Sequence, residues 1–115
     1  METRHKIIFQ NALQIQKIPT ESINLVVTSP PYPMIEMWDD IFAQMNQAIR
    51  TALDQADGKT AFDLMHLELI KIWAELYRVL IPGGILCINI GDATRTLGGN
   101  FALYPSHARI ISGCQ

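Results

Sequence analysis

Two apolar runs, separated by a long helical stretch, constrain this chain more than any other feature. Leu25-Val26-Val27 and Ile85-Leu86-Cys87-Ile88-Asn89-Ile90 are nearly free of alternation. A strand of that kind is built to be covered on both faces, as in a parallel sheet. Between them, Phe62, Met65, Leu69, Ile72, Trp73, Leu76 and Leu80 recur at helical spacing. Glu68, Lys71, Glu75 and Arg78 fall on the opposite side, so the pattern predicts an amphipathic helix over about 62–81 with a solvated Lys71–Glu75 pair. Strand, helical crossover, strand is the order of a parallel α/β sheet with flanking helices.

The flanks fill in the rest. Lys6–Phe9 reads as a further short strand, with Asn11 at the strand-to-helix turn that follows it. Leu13, Ile15 and Ile18 suit a short amphipathic connection closed by Pro19. Asp39 and Asp40 are suited to cap a helix carrying Ile41, Phe42, Met45, Ile49, Ala52 and Leu53, which Asp57-Gly58 would end. Pro82-Gly83-Gly84 should stop the long helix, and 85–90 is the next strand. Gly91-Asp92 turns the chain into a loop over 93–104, and Pro105 to Ile111 opens another helix. Three strands with open edges make association through those edges, as a homo-oligomer, an expectation.

Length and charge limit the choices. A chain of 115 residues with 49 % apolar content holds one domain with a real core. A net charge of −2 announces no polycationic arm, although a local basic surface would still serve a nucleic-acid binder. No apolar run reaches the length of a membrane span. The first residues lack a signal-peptide core, and Cys87 and Cys114 form neither a CxxC pair nor a zinc set. A reducing cytoplasm, no membrane and no metal are the matching expectations.

The chemistry centres on Thr28-Ser29-Pro30-Pro31-Tyr32, at the C-terminal end of the first apolar strand, which spans 23–33 with its loop. Ligands of open α/β sheets bind outside those strand ends. Two prolines stiffen the loop and leave carbonyls without ladder partners. Ser29 adds an acceptor and Tyr32 an aromatic plate. Such a cluster suits a planar group bearing an NH2.

Here the sequence resembles the amino-group DNA methyltransferases. Ser29-Pro30-Pro31-Tyr32 is similar to their motif IV. Ile18-Pro19 through Ser22-Ile23-Asn24-Leu25-Val26-Val27, and Leu76-Tyr77-Arg78-Val79-Leu80-Ile81-Pro82-Gly83-Gly84, resemble its flanks, over roughly 5–92. The resemblance implies a partial Rossmann-like fold dependent on S-adenosylmethionine, with DNA as partner. It implies methylation of N4 of cytosine, favoured by the serine form, or N6 of adenine. Ser29 and the Pro30 carbonyl would accept hydrogen bonds from the exocyclic amine, Pro31 would stiffen the loop, and Tyr32 would stack on a flipped base. Asn11, Thr28 and Ser29 would border the cofactor, Asn11 standing where the family usually has an acidic residue. The family's Asp-Pro-Phe-x-Gly-x-Gly-like cofactor loop is not found in the chain. The expectation is therefore an N-terminal part of a permuted catalytic domain over 1–115, inactive alone, with cofactor loop and target-recognition region elsewhere.

Other readings stay open at this point. Methylation of RNA or of a protein glutamine uses a related loop, commonly with Asn first. A non-catalytic remnant or a plain stiff turn also fits Pro-Pro-Tyr. A C5-cytosine mechanism does not fit, because the family's nucleophilic cysteine follows a proline, whereas Cys87 follows Leu86 and Cys114 follows Gly113. Trp38 and Asp92 are candidates for the pocket, with packing and turn roles as alternatives. His66 suits a satisfied histidine rather than a catalyst, and Arg95 and Arg109 are too few to claim phosphate contact.

Overall fold

Both apolar runs form strands and pair with each other. A computed structural model describes residues 1–115. β1 (Ile23–Thr28) runs parallel to β2 (Leu80–Ile88), with Leu25, Val26, Val27 and Thr28 opposite Ile85, Leu86, Cys87 and Ile88. Between them lie α1 (Asp39–Met45), α2 (Gln47–Asp54) and the long α3 (Gly58–Val79). After β2 come β3 (Ala93–Leu97), β4 (Asn100–Tyr104) and α4 (Ser106–Gly113). The architecture is α/β with two small sheets. The expected mostly parallel sheet reduces to one parallel pair, and β3 with β4 is an antiparallel hairpin.

Several local readings are corrected. Lys6–Phe9 forms no strand; Ile7 and Phe9 are exposed, and no neighbour completes their backbone bonds, without which an extended segment is not a strand. The helix expected through Ile41–Leu53 is two helices. Asn46 leaves helical geometry (φ −152°, ψ 112°), and its side chain accepts from the Ala48 N–H at 3.0 Å. An asparagine gains more as an N-cap than inside a helix, so it restarts the helix as α2. Asp57 likewise does not end a helix but begins α3, its carboxylate accepting from Thr60 N–H at 3.1 Å.

α3 therefore starts one turn before the expected position and ends at Val79, ahead of Pro82-Gly83-Gly84. Those residues lie inside β2, where the register shifts between Ile23 and Leu25. Gly83 adopts φ +79°, and a Cβ at Gly84 would come within 2.9 Å of the Ile81 carbonyl, so the irregularity depends on both glycines. The expected loop at 93–104 is the β3–β4 hairpin. Gly98 (φ +55°) and Gly99 (φ +80°) supply the two left-handed positions of a two-residue turn.

The core collects Phe42, Ile49, Leu53, Phe62, Met65, Leu69 and Trp73 between α1, α2 and α3. Val26, Leu86 and Ile88 pack on it from one face of the β1–β2 pair. The other face is open: Leu25, Val27 and Ile85 are exposed, Val27 at 72 %. The charged stripe of α3 also differs from expectation. Glu68 is 5 % exposed and bonded by Lys71 at 2.8 Å, so the pairs are Lys71–Glu68 and Arg78–Glu75 rather than Lys71–Glu75. Arg78 also donates to the Ile15 and Ile18 carbonyls and to Thr20 Oγ1, pinning the N-terminal segment to α3.

Candidate active site at the end of the parallel strands

Parallel pairing brings the C-terminal ends of β1 and β2 side by side. The Asn89 N–H donates to the Thr28 carbonyl at 2.9 Å, one step beyond the Thr28–Ile88 register pair. Pro30 and Pro31 have no N–H to continue the ladder, so the chain leaves the sheet at Ser29. Ser29 is exposed, Pro30 is buried, and Pro31 and Tyr32 are half-buried. The loop thus keeps its stiff part anchored and its polar tip in solvent.

The Tyr32 ring leans on the end of β2. Its Cε2 lies 3.5 Å from where a Gly91 Cβ would stand. Pro33 and Met34 then plunge into the core, Met34 in the left-handed region at φ +67°. The Met34 N–H points at Met65 Sδ, 3.4 Å away. Ile35 N–H donates to the Tyr32 carbonyl at 3.3 Å and Trp38 N–H to the Ile35 carbonyl at 2.9 Å. Trp38 is partly buried against the core, which is the packing role.

The loop's far end is held by a residue from the hairpin. Arg95 of β3 makes a two-pronged ion pair with Asp39, at 2.8 and 2.7 Å, and its Nη1 is 3.5 Å from the Met34 carbonyl. The two side chains are 15 % and 10 % exposed. The hydrogen bonds to Asp39 raise the Arg95 pKa above its ordinary value, against the opposing effect of burial. Arg95 is therefore committed inside the fold and is not a phosphate contact. Asp39 is not an N-cap; its carboxylate serves Arg95, while Asp40 pairs with Arg50. Arg109 is also engaged, bonding Asp63 at 2.7 Å and lying over the Phe62 ring.

Asp92 follows Gly91 and turns toward α4. Its carboxylate accepts from the His107 N–H at 3.1 Å and bonds the His107 ring at 2.7 Å. Those bonds hold the Asp92 carboxyl below its usual range. The residue thus caps α4 from outside the helix. Asn11 sits apart from this cluster: its Oδ1 accepts from Leu13 N–H at 2.9 Å. With Leu13, Ile41, Gln44, Met45 and Glu68 it lines a shallow cavity of about 340 Å³. None of the five main cavities is lined by residues 28–34, so the loop is presented on an open surface. No helix is long and apolar enough to cross a membrane.

Sequence reasoning missed Gly91 and the Arg95–Asp39 pair. The pair's signal was present as opposite charges, but 56 residues separate them and only the fold joins them.

A family model described as DNA methylase matches residues 23–111. The type II methyltransferase M.MthZI of Methanothermobacter thermautotrophicus is 52 % identical over 112 residues, covering 96 % of this chain and 32 % of that protein. M.MjaI of Methanocaldococcus jannaschii is 48 % identical, covering 98 % and 41 %. The chain thus spans about a third to two fifths of the length of these relatives. Among solved structures, TTHA0409 of Thermus thermophilus, described as a DNA modification methylase, superposes with a TM-score of 0.65 at 27 % identity, covering 91 % of this chain and 36 % of its own. Its complex with S-adenosyl-L-methionine gives 0.64 at 30 % identity, covering 90 % and 36 %. The chain belongs to the DNA methylase family.

Proposed function

We propose that this chain is the methyl-acceptor part of a DNA methyltransferase catalytic domain, acting on the exocyclic amine of a flipped base, with N4 of cytosine favoured over N6 of adenine. The observation that carries the reading is the placement of Ser29-Pro30-Pro31-Tyr32. The loop leaves the end of a parallel strand with its polar tip exposed and its aromatic ring propped on Gly91. Ser29 Oγ and the Pro30 carbonyl accept the two amine protons. That holds the nitrogen lone pair in a fixed direction, so positioning supplies much of the catalysis. Tyr32 stacks on the base, contributing about 1–3 kcal/mol toward the few kcal/mol that flipping costs. Pro31 and the buried Pro30 limit the freedom the loop would otherwise lose on binding.

S-adenosylmethionine, bound in the Thermus relative, would supply an electrophilic methyl group on a sulfonium. The residues at the strand end fit its polar edge: Thr28 is half-buried and Ser29 offers an exposed hydroxyl. Asn11 stands apart from this strand end with its oxygen committed to the Leu13 N–H, so a place for it at the cofactor rests on the family resemblance alone. The open apolar face of β1–β2, with Leu25, Val27 and Ile85, supports a domain that continues in a longer protein.

The test is transfer of a labelled methyl group from S-adenosylmethionine to duplex DNA by the full-length protein, with nucleoside analysis of the product. N4-methylcytosine is expected, and N6-methyladenine would move the base assignment. The double variant Ser29→Ala, Tyr32→Ala should lose transfer. Full activity in that variant would remove the loop from the site, and no label from the unaltered protein would leave a non-catalytic role.

A further inference from the structure

The loop is fixed at its start by the Thr28–Asn89 bond and in its middle by Gly91 and Met65, but its far end depends on the hairpin. Met34 is in a left-handed conformation that a methionine does not favour. Its N–H has only a thioether as acceptor, a weak partner. The buried side chains of Pro33 and Met34 seat this turn in the core, and Arg95 reaches both sides of it: the Met34 carbonyl and the Asp39 carboxylate that starts α1. A guanidinium can bridge two such acceptors because its donors form a planar fork; an ammonium presents a single point.

We propose that Arg95 is a positioning residue for methyl transfer, acting through Asp39 and the Met34 carbonyl to fix where Ser29-Pro30-Pro31-Tyr32 presents its acceptors. The inference rests on the acceptor role proposed for that loop. The hairpin, otherwise remote from the chemistry, thereby becomes part of the site's support. The pair is mostly withdrawn from solvent, so salt does not screen it as it would a surface pair. Loss of the fork frees Met34 to relax, and Tyr32, two residues before it, moves with it.

The test uses the full-length protein with Arg95→Met, Arg95→Lys and Asp39→Asn, read by hydrogen exchange and by kinetics. Amide protection at Ile35 and Trp38 should fall at least tenfold in Arg95→Met, while α3 stays protected. The kcat for methyl transfer should fall at least tenfold with KM for S-adenosylmethionine unchanged, and Arg95→Lys should recover part of both. Unchanged protection at Ile35 and Trp38 overturns the clamp, whether or not the protein methylates. Lost protection with unchanged kcat overturns the positioning role and leaves the loop's acceptor role standing. Should Arg95→Met fail to fold, Arg95→Lys and Asp39→Asn carry the same comparison. An unaltered protein that transfers no methyl group to DNA refutes the acceptor reading, and hydrogen exchange then still decides the clamp.

Discussion

Acidification probes the packing of α3 against α4 at one residue, His66. Its ring is 2 % exposed, 3.3 Å from Ser106 Oγ and edge-on to Phe62. Burial first, then the nearby Arg109, push its pKa from 6.5 down to about 4, with Asp63 opposing. An unfolded chain takes up a proton on this histidine near its ordinary pKa, whereas the native protein resists until about pH 4. Its contribution to stability is therefore whole above pH ~6.5, is lost as the pH falls toward ~4, and levels off below. Linkage over that window amounts to about 2 kcal/mol between pH 7.5 and pH 5, as an upper bound. Asp57 and Asp92 are held low by their hydrogen-bonded partners Thr60 and His107. They lose their contributions at lower pH, in the carboxylate range, and leave this window to histidine. Urea denaturation at both pH values, for the protein and for His66→Gln, isolates the effect as a difference of differences. The unaltered protein should lose up to about 2 kcal/mol more than the variant. Equal losses would mean that His66 is protonated in the native state or hydrated, and would refute the burial argument.

Three further outcomes follow from the packing. Gly58→Ala places a Cβ 2.0 Å from the Tyr104 hydroxyl and should destabilise by about 1–3 kcal/mol, a cost that Tyr104→Phe relieves in a double-mutant cycle; additive effects would contradict the close approach. In the 115-residue chain, Val26→Thr on the core face of β1 should cost about 1–3 kcal/mol, whereas Val27→Thr on the open face should stay within about 0.5 kcal/mol, both by chemical denaturation. Asp92→Ala removes the acceptor for the His107 N–H, so amide exchange at the start of α4 should quicken while α3 is unchanged.

Much of the fold was legible because its main elements announce themselves locally. The apolar stripe of α3 and the β-branched run of β1 need no partner to be recognised. The failures share a cause: a residue with two local roles, decided by its neighbours in space. Asp57-Gly58 reads equally as a stop or a start. It is a start because Gly58 lets Tyr104 approach from the hairpin and Asp57 finds the Thr60 N–H. Asn46 reads as a tolerable helix residue until its side chain finds Ala48 N–H. Lys6–Phe9 has the composition of a strand, but composition cannot supply the neighbouring backbone that a strand needs.

The site divides along the same line. Ser29-Pro30-Pro31-Tyr32 was legible because prolines dictate geometry wherever they stand, and the strand before them fixes which end of the sheet they occupy. What aims that loop was not legible, because it is contributed across the chain. Gly91 matters only as the floor under Tyr32, and Arg95 only as the partner of Asp39. Arginines in a sequence invite a phosphate reading, since an exposed guanidinium is a good anion contact. Burial reverses it here. Arg95 is satisfied by Asp39 inside the fold and carries no free charge toward a backbone, whereas Arg109 shares Asp63 at an exposed surface. Any positive surface that grips DNA is then built without Arg95, and the salt dependence of DNA binding should be unchanged by Arg95→Met, which removes the charge. A reduced salt slope in that variant would return Arg95 to the DNA interface and contradict the ion pair's burial.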